Sequence, residues 1–116
     1  MLMDTNRKKE LQSQYADREV VGGVYLVRNT LKNKILLETA TDLNVCKNRF
    51  EFAQKTGSCV YPKLQKDWAE QGGDQFILEV LEELKKGETQ SQTEFKADIE
   101  FLKEIWLEKL SSDDYY

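Results

Sequence analysis

Histidine is missing altogether from this 116-residue chain. The commonest zinc ligand and the usual general base near neutral pH are therefore unavailable, which excludes Ser-His, Cys-His and His-metal mechanisms. Cysteine is scarce: Cys46 and Cys59 stand alone, with no C-x-x-C pair, so free thiols in a reducing compartment are expected. No stretch of sequence approaches the roughly eighteen consecutive apolar residues of a membrane span, and Met1 to Arg18 is polar where a secretory leader carries an apolar run. The expectation is a cytoplasmic protein with no membrane partner. Internal repeats and low-complexity segments are also lacking.

What is present is the composition of one soluble globular domain. Apolar residues make up 40% of the chain and charged residues 33%, enough to build a single core without disulfides or a structural metal. The net charge of −4 conceals an asymmetry. Residues 1–60 hold ten Lys or Arg against seven Asp or Glu, and residues 61–116 hold seven against fourteen. The basic surplus is concentrated over 31–66, where Lys32, Lys34, Lys47, Arg49, Lys55, Lys63 and Lys66 face only Glu38, Asp42 and Glu51. Such a surplus suits either phosphate contact or an ordinary solvated surface.

Along the chain, Thr5 to Asp17 holds good helix formers with a thin apolar stripe at Leu11 and Tyr15. Gly22-Gly23 ends it. Val24 to Val27 and Ile35 to Leu37 are short apolar runs around a polar turn, a hairpin buried on both faces. Asp42 stands where an N-cap belongs, opening a helix to Thr56 that Gly57 stops. That helix is expected to turn Val45, Phe52 and Ala53 inward, with Arg49 and Lys55 nearer solvent. Pro62 suits the first turn of another helix ending at Gly72-Gly73, with Leu64, Trp68 and the stem of Lys63 toward the sheet. Phe76 to Leu84 reads equally as helix or strand. Lys85 to Gln92 is a loop, and Phe95, Ile99, Leu102 and Trp106 form one face of a C-terminal helix closing on Leu110.

Five segments in order, Gly23-Val24-Tyr25, Arg28-Asn29-Thr30 with Lys34, Lys63 to Trp68, Phe76 to Glu82 and Trp106 to Leu110, give the chain a resemblance to the GIY-YIG nuclease family over about Gly22 to Leu110. The resemblance implies an α+β fold: a small three-stranded antiparallel sheet flanked by helices, with an extra N-terminal helix and a long C-terminal one. Its third strand falls at about Gln75 to Glu82. The implied organisation is an N-terminal helical extension over 1–20, the GIY-YIG-like domain over 21–111 and a mobile tail over 112–116.

In that family two tyrosines, an arginine and a metal-holding glutamate carry metal-assisted phosphodiester hydrolysis. A phenol passes or positions a proton, a guanidinium offsets charge on the phosphoryl oxygens, and a carboxylate holds a hard cation. Carried over residue by residue, Tyr25 keeps the first tyrosine. The second tyrosine falls on Leu36, its glycine on Glu38, the arginine on Cys46 and the glutamate on Lys103, with Glu104 one step and about 100° away. Cys59 stands where relatives often have histidine. Losing one charge-stabilising donor costs about a hundred- to a thousandfold in rate.

The resemblance therefore implies a catalytically degenerate domain, leaning away from an enzyme and acting as a binding or interaction module. Its partners would be nucleic acid, held weakly through Tyr25, Lys32, Lys34, Lys47, Arg49 and Lys63, or a protein met by the acidic C-terminal half. No cofactor is expected. The alternative is a residual Mg2+- or Mn2+-dependent endonuclease using Tyr25, Lys34 and a displaced carboxylate such as Glu38 or Glu104. The plainer readings make Tyr25 a buried strand aromatic, Cys46 a half-buried filler, Trp68 and Trp106 core residues, and Glu82-Glu83 and Glu100 to Glu104 solvated surface.

Overall fold

The computed structural model describes residues 20–116, so all but the last residue of the expected N-terminal extension lies outside the described residues. Strands β1 (Val21–Asn29) and β2 (Lys34–Ala40) form the expected hairpin, antiparallel, with Tyr25 opposite Glu38 and Asn29 opposite Lys34. Its turn is tied by a side chain. Asn29 Oδ1 accepts from the amides of Leu31 and Lys32 at 3.0 and 3.1 Å, and Asn33 takes the left-handed φ of 56° that asparagine tolerates.

Helix α1 (Leu43–Thr56) begins and ends as its sequence dictates. The Asp42 carboxylate accepts from the amides of Asn44 and Val45, and Gly57 closes the helix at φ 76° with its amide on the Ala53 carbonyl. A 3-10 turn at Pro62–Leu64 leads into α2 (Gln65–Gln71), and a second at Gly73–Gln75 delivers the chain to β3 (Phe76–Lys85). The ambiguous segment is thus a strand, antiparallel to β1. Ser91 caps α3 (Gln92–Lys109) by accepting from the Glu94 amide.

β1 is paired on both edges and buried on both faces, so its period-two alternation feeds two cores. Tyr25 and Val27 point to one, with Leu36, Phe50, Leu64, Trp68 and Phe76. Val24 and Leu26 point to the other, beneath Leu102, Trp106 and Leu110 of the α3 region. Trp68 stacks on Phe76 at 4.9 Å between centroids and meets Phe50 edge-on at 5.9 Å, so it is a core residue. Each fully buried Leu or Phe side chain contributes ~1.5–3 kcal/mol.

Three expectations give way. On α1 the inward residues are Leu43, Phe50 and Ala53, while Val45 and Phe52 are 48% and 66% exposed. Apolar residues occupy two adjacent faces of this helix, and the face that places Phe50 against Trp68 is the one that packs. Lys63 is exposed rather than folded onto the sheet. The sheet has four strands in the order β3-β1-β2-β4 and is mixed, because residues beyond α3 return as β4 (Asp114–Tyr115), parallel to β2.

Tyr116, the last residue of the 112–116 segment, is hydrogen-bonded back to the sheet and to α2. The Tyr116 amide donates to the Ile35 carbonyl at 3.0 Å. Its hydroxyl donates to Asp67 Oδ2 and accepts from Asn29 Nδ2, both at 2.7 Å. Lys32 Nζ reaches the same carboxylate at 2.8 Å. The Lys32 hydrogen bond first, and then that of Tyr116, holds the Asp67 carboxyl below its ordinary range.

The register of β1 and β3 shifts between Val24 and Tyr25, where Val24 faces Glu82 and Tyr25 faces Val80, so Leu81 is the extra residue of a β-bulge. Gly23 lies beside it at φ 152°, and a Cβ there would overlap the Glu82 carbonyl. Gly57, also at positive φ, has open space around it. Gly23→Ala is therefore expected to lower stability by about 2–3 kcal/mol and Gly57→Ala by about 1 kcal/mol. Urea midpoints at unchanged slope would read the difference; equal losses would contradict the bulge account.

Candidate functional site

A cleft of about 520 Å3 opens where the start of α1, the end of β2 and α3 converge. Tyr25 and Tyr61 line it together with Asp42, Cys46 and Arg49 on the α1 side and Lys96 and Glu100 on the α3 side. Helix spacing explains the walls: 42, 46 and 49 recur at three- and four-residue steps along α1 and its cap, and 96 and 100 lie one turn apart on α3. Tyr25 enters by the alternation of β1. Tyr61 enters because it precedes Pro62, which holds it extended at φ −112° and ψ 111°.

The two phenols meet, with their hydroxyl oxygens 3.0 Å apart. Cys46 Sγ lies 3.8 Å from the Tyr61 hydroxyl. Burial is the largest effect on both phenols and pushes both well above the ordinary tyrosine range. Hydrogen bonds to Cys46 and then to Tyr61 raise Tyr25 further; the bond to Tyr25 lowers Tyr61 in part, while Cys46 and then Glu38 push it up. Both side chains therefore remain protonated donors, not phenolates, near neutral pH. Across the cleft Glu100 Oε1 accepts from Thr39 Oγ1 at 3.3 Å.

The positions singled out in the sequence fare unequally. Tyr25 and Cys46 line the cleft; Leu36 is 5% exposed in the core that Tyr25 joins. Glu38 pairs with Tyr25 across the strands and is half-buried. Lys103 and Glu104 are not among the lining residues. Lys103 sits three residues beyond Glu100 on α3, about 4.5 Å further along the axis, so the α3 carboxylate that reaches the cleft is Glu100 and not a group at 103 or 104. Glu100 had read as solvated surface.

The cationic candidates do not share one surface. Arg49 lines the cleft, one turn beyond Cys46. Lys32 is paired with Asp67, and Lys34 lies 5.6 Å from the centroid of the Tyr116 ring, at the turn end of the hairpin. Lys47 borders a separate groove between α1 and β3, and Lys63 is exposed on the 3-10 turn. Sequence reasoning missed Tyr61, Lys96 and Glu100. The Lys96-Glu100 spacing was the one available signal for the last two; the Tyr25–Tyr61 contact joins residues 36 apart in sequence.

The resemblance to the GIY-YIG family implies a divalent metal, and the donors present bear on it. Asp42 already accepts from two helix amides, and Lys96 brings a positive charge into the same cleft. Among the described residues no three His, Cys, Asp or Glu side chains gather to hold a metal. Glu100 alone fits the minimal arrangement of a magnesium ion, which takes one or two protein carboxylates and completes its shell with water and substrate phosphate.

Raised phenol pKa values carry a stability consequence. The unfolded chain loses its phenolic protons near pH 10, before the folded chain does, so the stabilisation is complete below that pH and is lost as pH rises above it. Tyrosinate absorbance is expected to show Tyr25 and Tyr61 titrating only with alkaline unfolding, and Tyr25→Phe to make the alkaline fall in stability shallower. The chain has five tyrosines, and ionisation of all five near pH 10 in the folded protein would contradict the buried pair.

No protein-family model and no curated protein matches the chain. Solved structures do. The catalytic domain of intron endonuclease I-TevI, in a mutant form, is similar at 25% identity and a TM-score of 0.58, covering 84% of this chain and 93% of that one. A second structure, of the catalytic domain of homing endonuclease I-TevI, is similar at 25% identity and a TM-score of 0.56, covering 78% and 89%. I-TevI is a GIY-YIG homing endonuclease, and the chain carries the α+β fold of that catalytic domain across most of its length.

Proposed function

We propose that this chain is a nucleic-acid-binding module on a nuclease scaffold, holding a phosphodiester backbone in the cleft without the family's hydrolytic set. One observation carries the reading: Arg49 and Lys96, from opposite walls, line the same cleft as two protonated phenols. Cations supply the salt-dependent attraction for phosphate, and neutral hydroxyls supply oriented donors. Hydrolysis is disfavoured because Cys46 replaces the guanidinium and Leu36 the second strand phenol. The fold does not bring chemistry with it.

A second reading is favoured by Glu100. With Arg49 one turn beyond Cys46 and Tyr61 beside Tyr25, the cleft regains a carboxylate, a guanidinium and a second phenol from displaced positions. A magnesium or manganese ion, when bound by Glu100, would polarise the phosphodiester.

Fluorescence anisotropy with a labelled single strand in EDTA over a salt series separates these outcomes. Affinity is expected to fall with salt. Arg49→Ala and Lys96→Ala should each flatten the log-log slope by about 0.7, the share of one neutralised phosphate on a single strand. A response indifferent to salt would contradict the reading. In parallel samples without EDTA, Mg2+ or Mn2+ is expected to yield no cleavage, whereas a product lost in Glu100→Gln would establish the second reading instead.

A further inference from the structure

We propose that Tyr61, from the loop between α1 and α2, is the phenol that touches the phosphodiester, with the motif tyrosine Tyr25 behind it as a positioning residue. The inference rests on the phosphodiester-binding reading above and reverses the roles that the sequence motif suggests.

Accessibility orders the two groups. Tyr25 is 4% exposed, packed among Val27, Leu36, Phe50 and the other residues of its core. Tyr61 is half-buried at the edge of that core and also borders the cleft. A phenol has one proton to give and lone pairs to receive. The buried Tyr25 hydroxyl has Tyr61 as its close oxygen partner at 3.0 Å. Either hydroxyl can donate in this pair; in the arrangement in which Tyr25 donates, the Tyr61 proton is left to point elsewhere. Its neighbour is Cys46 Sγ at 3.8 Å, a weak acceptor. A phosphate oxygen accepts far more strongly, so a backbone entering the cleft would take the Tyr61 proton away from the thiol.

The loop is built to hold Tyr61 still. Pro62 fixes the extended backbone, and Cys59 grips both polar groups of the Tyr61 main chain. Its Sγ accepts from the Tyr61 amide at 3.4 Å, and its thiol donates to the Tyr61 carbonyl at 3.2 Å. This gives Cys59 a structural task, where the family pattern would place a histidine. It also shows how a second phenol can be present although β2 carries Leu36: the phenol comes from another segment and approaches Tyr25 from the α1 side.

The test uses the full chain with 13Cζ-labelled tyrosine, titrated in EDTA with a single-stranded oligothymidylate about ten nucleotides long, within the usual single-strand site size. The Tyr61 resonance is expected to move most, Tyr25 less, and Tyr115 and Tyr116 not at all. In anisotropy, Tyr61→Phe should weaken binding about tenfold with the salt slope unchanged, because a hydrogen bond and no cation is removed. Tyr25→Phe should weaken it about threefold, and that loss should vanish in the Tyr61→Phe background, since it acts only through Tyr61. A Tyr61 resonance unmoved at saturation overturns the proposal in the wild-type protein, whatever the variants do. If Tyr61→Phe binds normally while Arg49→Ala does not, this inference fails and the binding reading stands. If the wild type fails to bind at low salt, both fail.

Discussion

The strict alternation of β1 is the constraint on which the rest of the structure depends. A strand paired on both edges and buried on both faces has no freedom of register, because a one-residue slip would exchange its two cores. Val24 and Leu26 are committed to the α3 side and Tyr25 and Val27 to the α1 and α2 side. The bulge at Leu81 and the bare backbone of Gly23 let β3 follow β1 past this point without breaking that commitment. The glycine and tyrosine of the Gly23-Val24-Tyr25 triplet thus each have a reason rooted in the sheet. One permits the close approach of two strands, and the other is aimed at the foot of the cleft.

From that fixed phenol the cleft is assembled by elements far apart in sequence. The capped start of α1 sets Cys46 and Arg49 on one wall, and α3 sets Lys96 and Glu100 on the other. The loop closed by Cys59 and Pro62 brings Tyr61 into contact with Tyr25. At the far end of the hairpin, Asn29, Asp67 and Tyr116 lock the turn, α2 and the returning chain together. Lys32 belongs to that lock, which explains why it lies in the basic segment yet is not available at the cleft. The result is a cleft lined by Arg49 and Lys96, Asp42 and Glu100, and two phenols, on a fold similar to that of a nuclease catalytic domain.

Much of the fold was legible because local chemistry and packing agree. The Asp42 cap, the Gly57 stop, Pro62 at a first turn and the period of Phe95, Ile99, Leu102 and Trp106 all appear where the residues call for them. Where two faces of one helix were equally apolar, as with Leu43 and Phe50 against Val45 and Phe52, the choice lay with Trp68, a partner outside the helix. The fourth strand was not legible either, since a two-residue pairing of Asp114 and Tyr115 leaves no periodic signature. The site was half legible. Motif counting found Tyr25 and Cys46, but counting back from Trp106 reached Lys103, one turn beyond the cleft, and no local pattern announces a loop tyrosine meeting a strand tyrosine.

The central claim is that one cleft, defined by Tyr25 and Tyr61 between Arg49 and Lys96, is where a phosphodiester binds. The most direct measurement is a crystal structure of the full chain with a short single strand bound in EDTA. The account predicts a phosphate in that cleft, with the Tyr61 hydroxyl donating to it and Tyr25 one hydrogen bond behind. A strand seated in the groove beside Lys47, Gln54 and Ile77, or along Lys32, Lys34 and Lys63 with the cleft vacant, would contradict it.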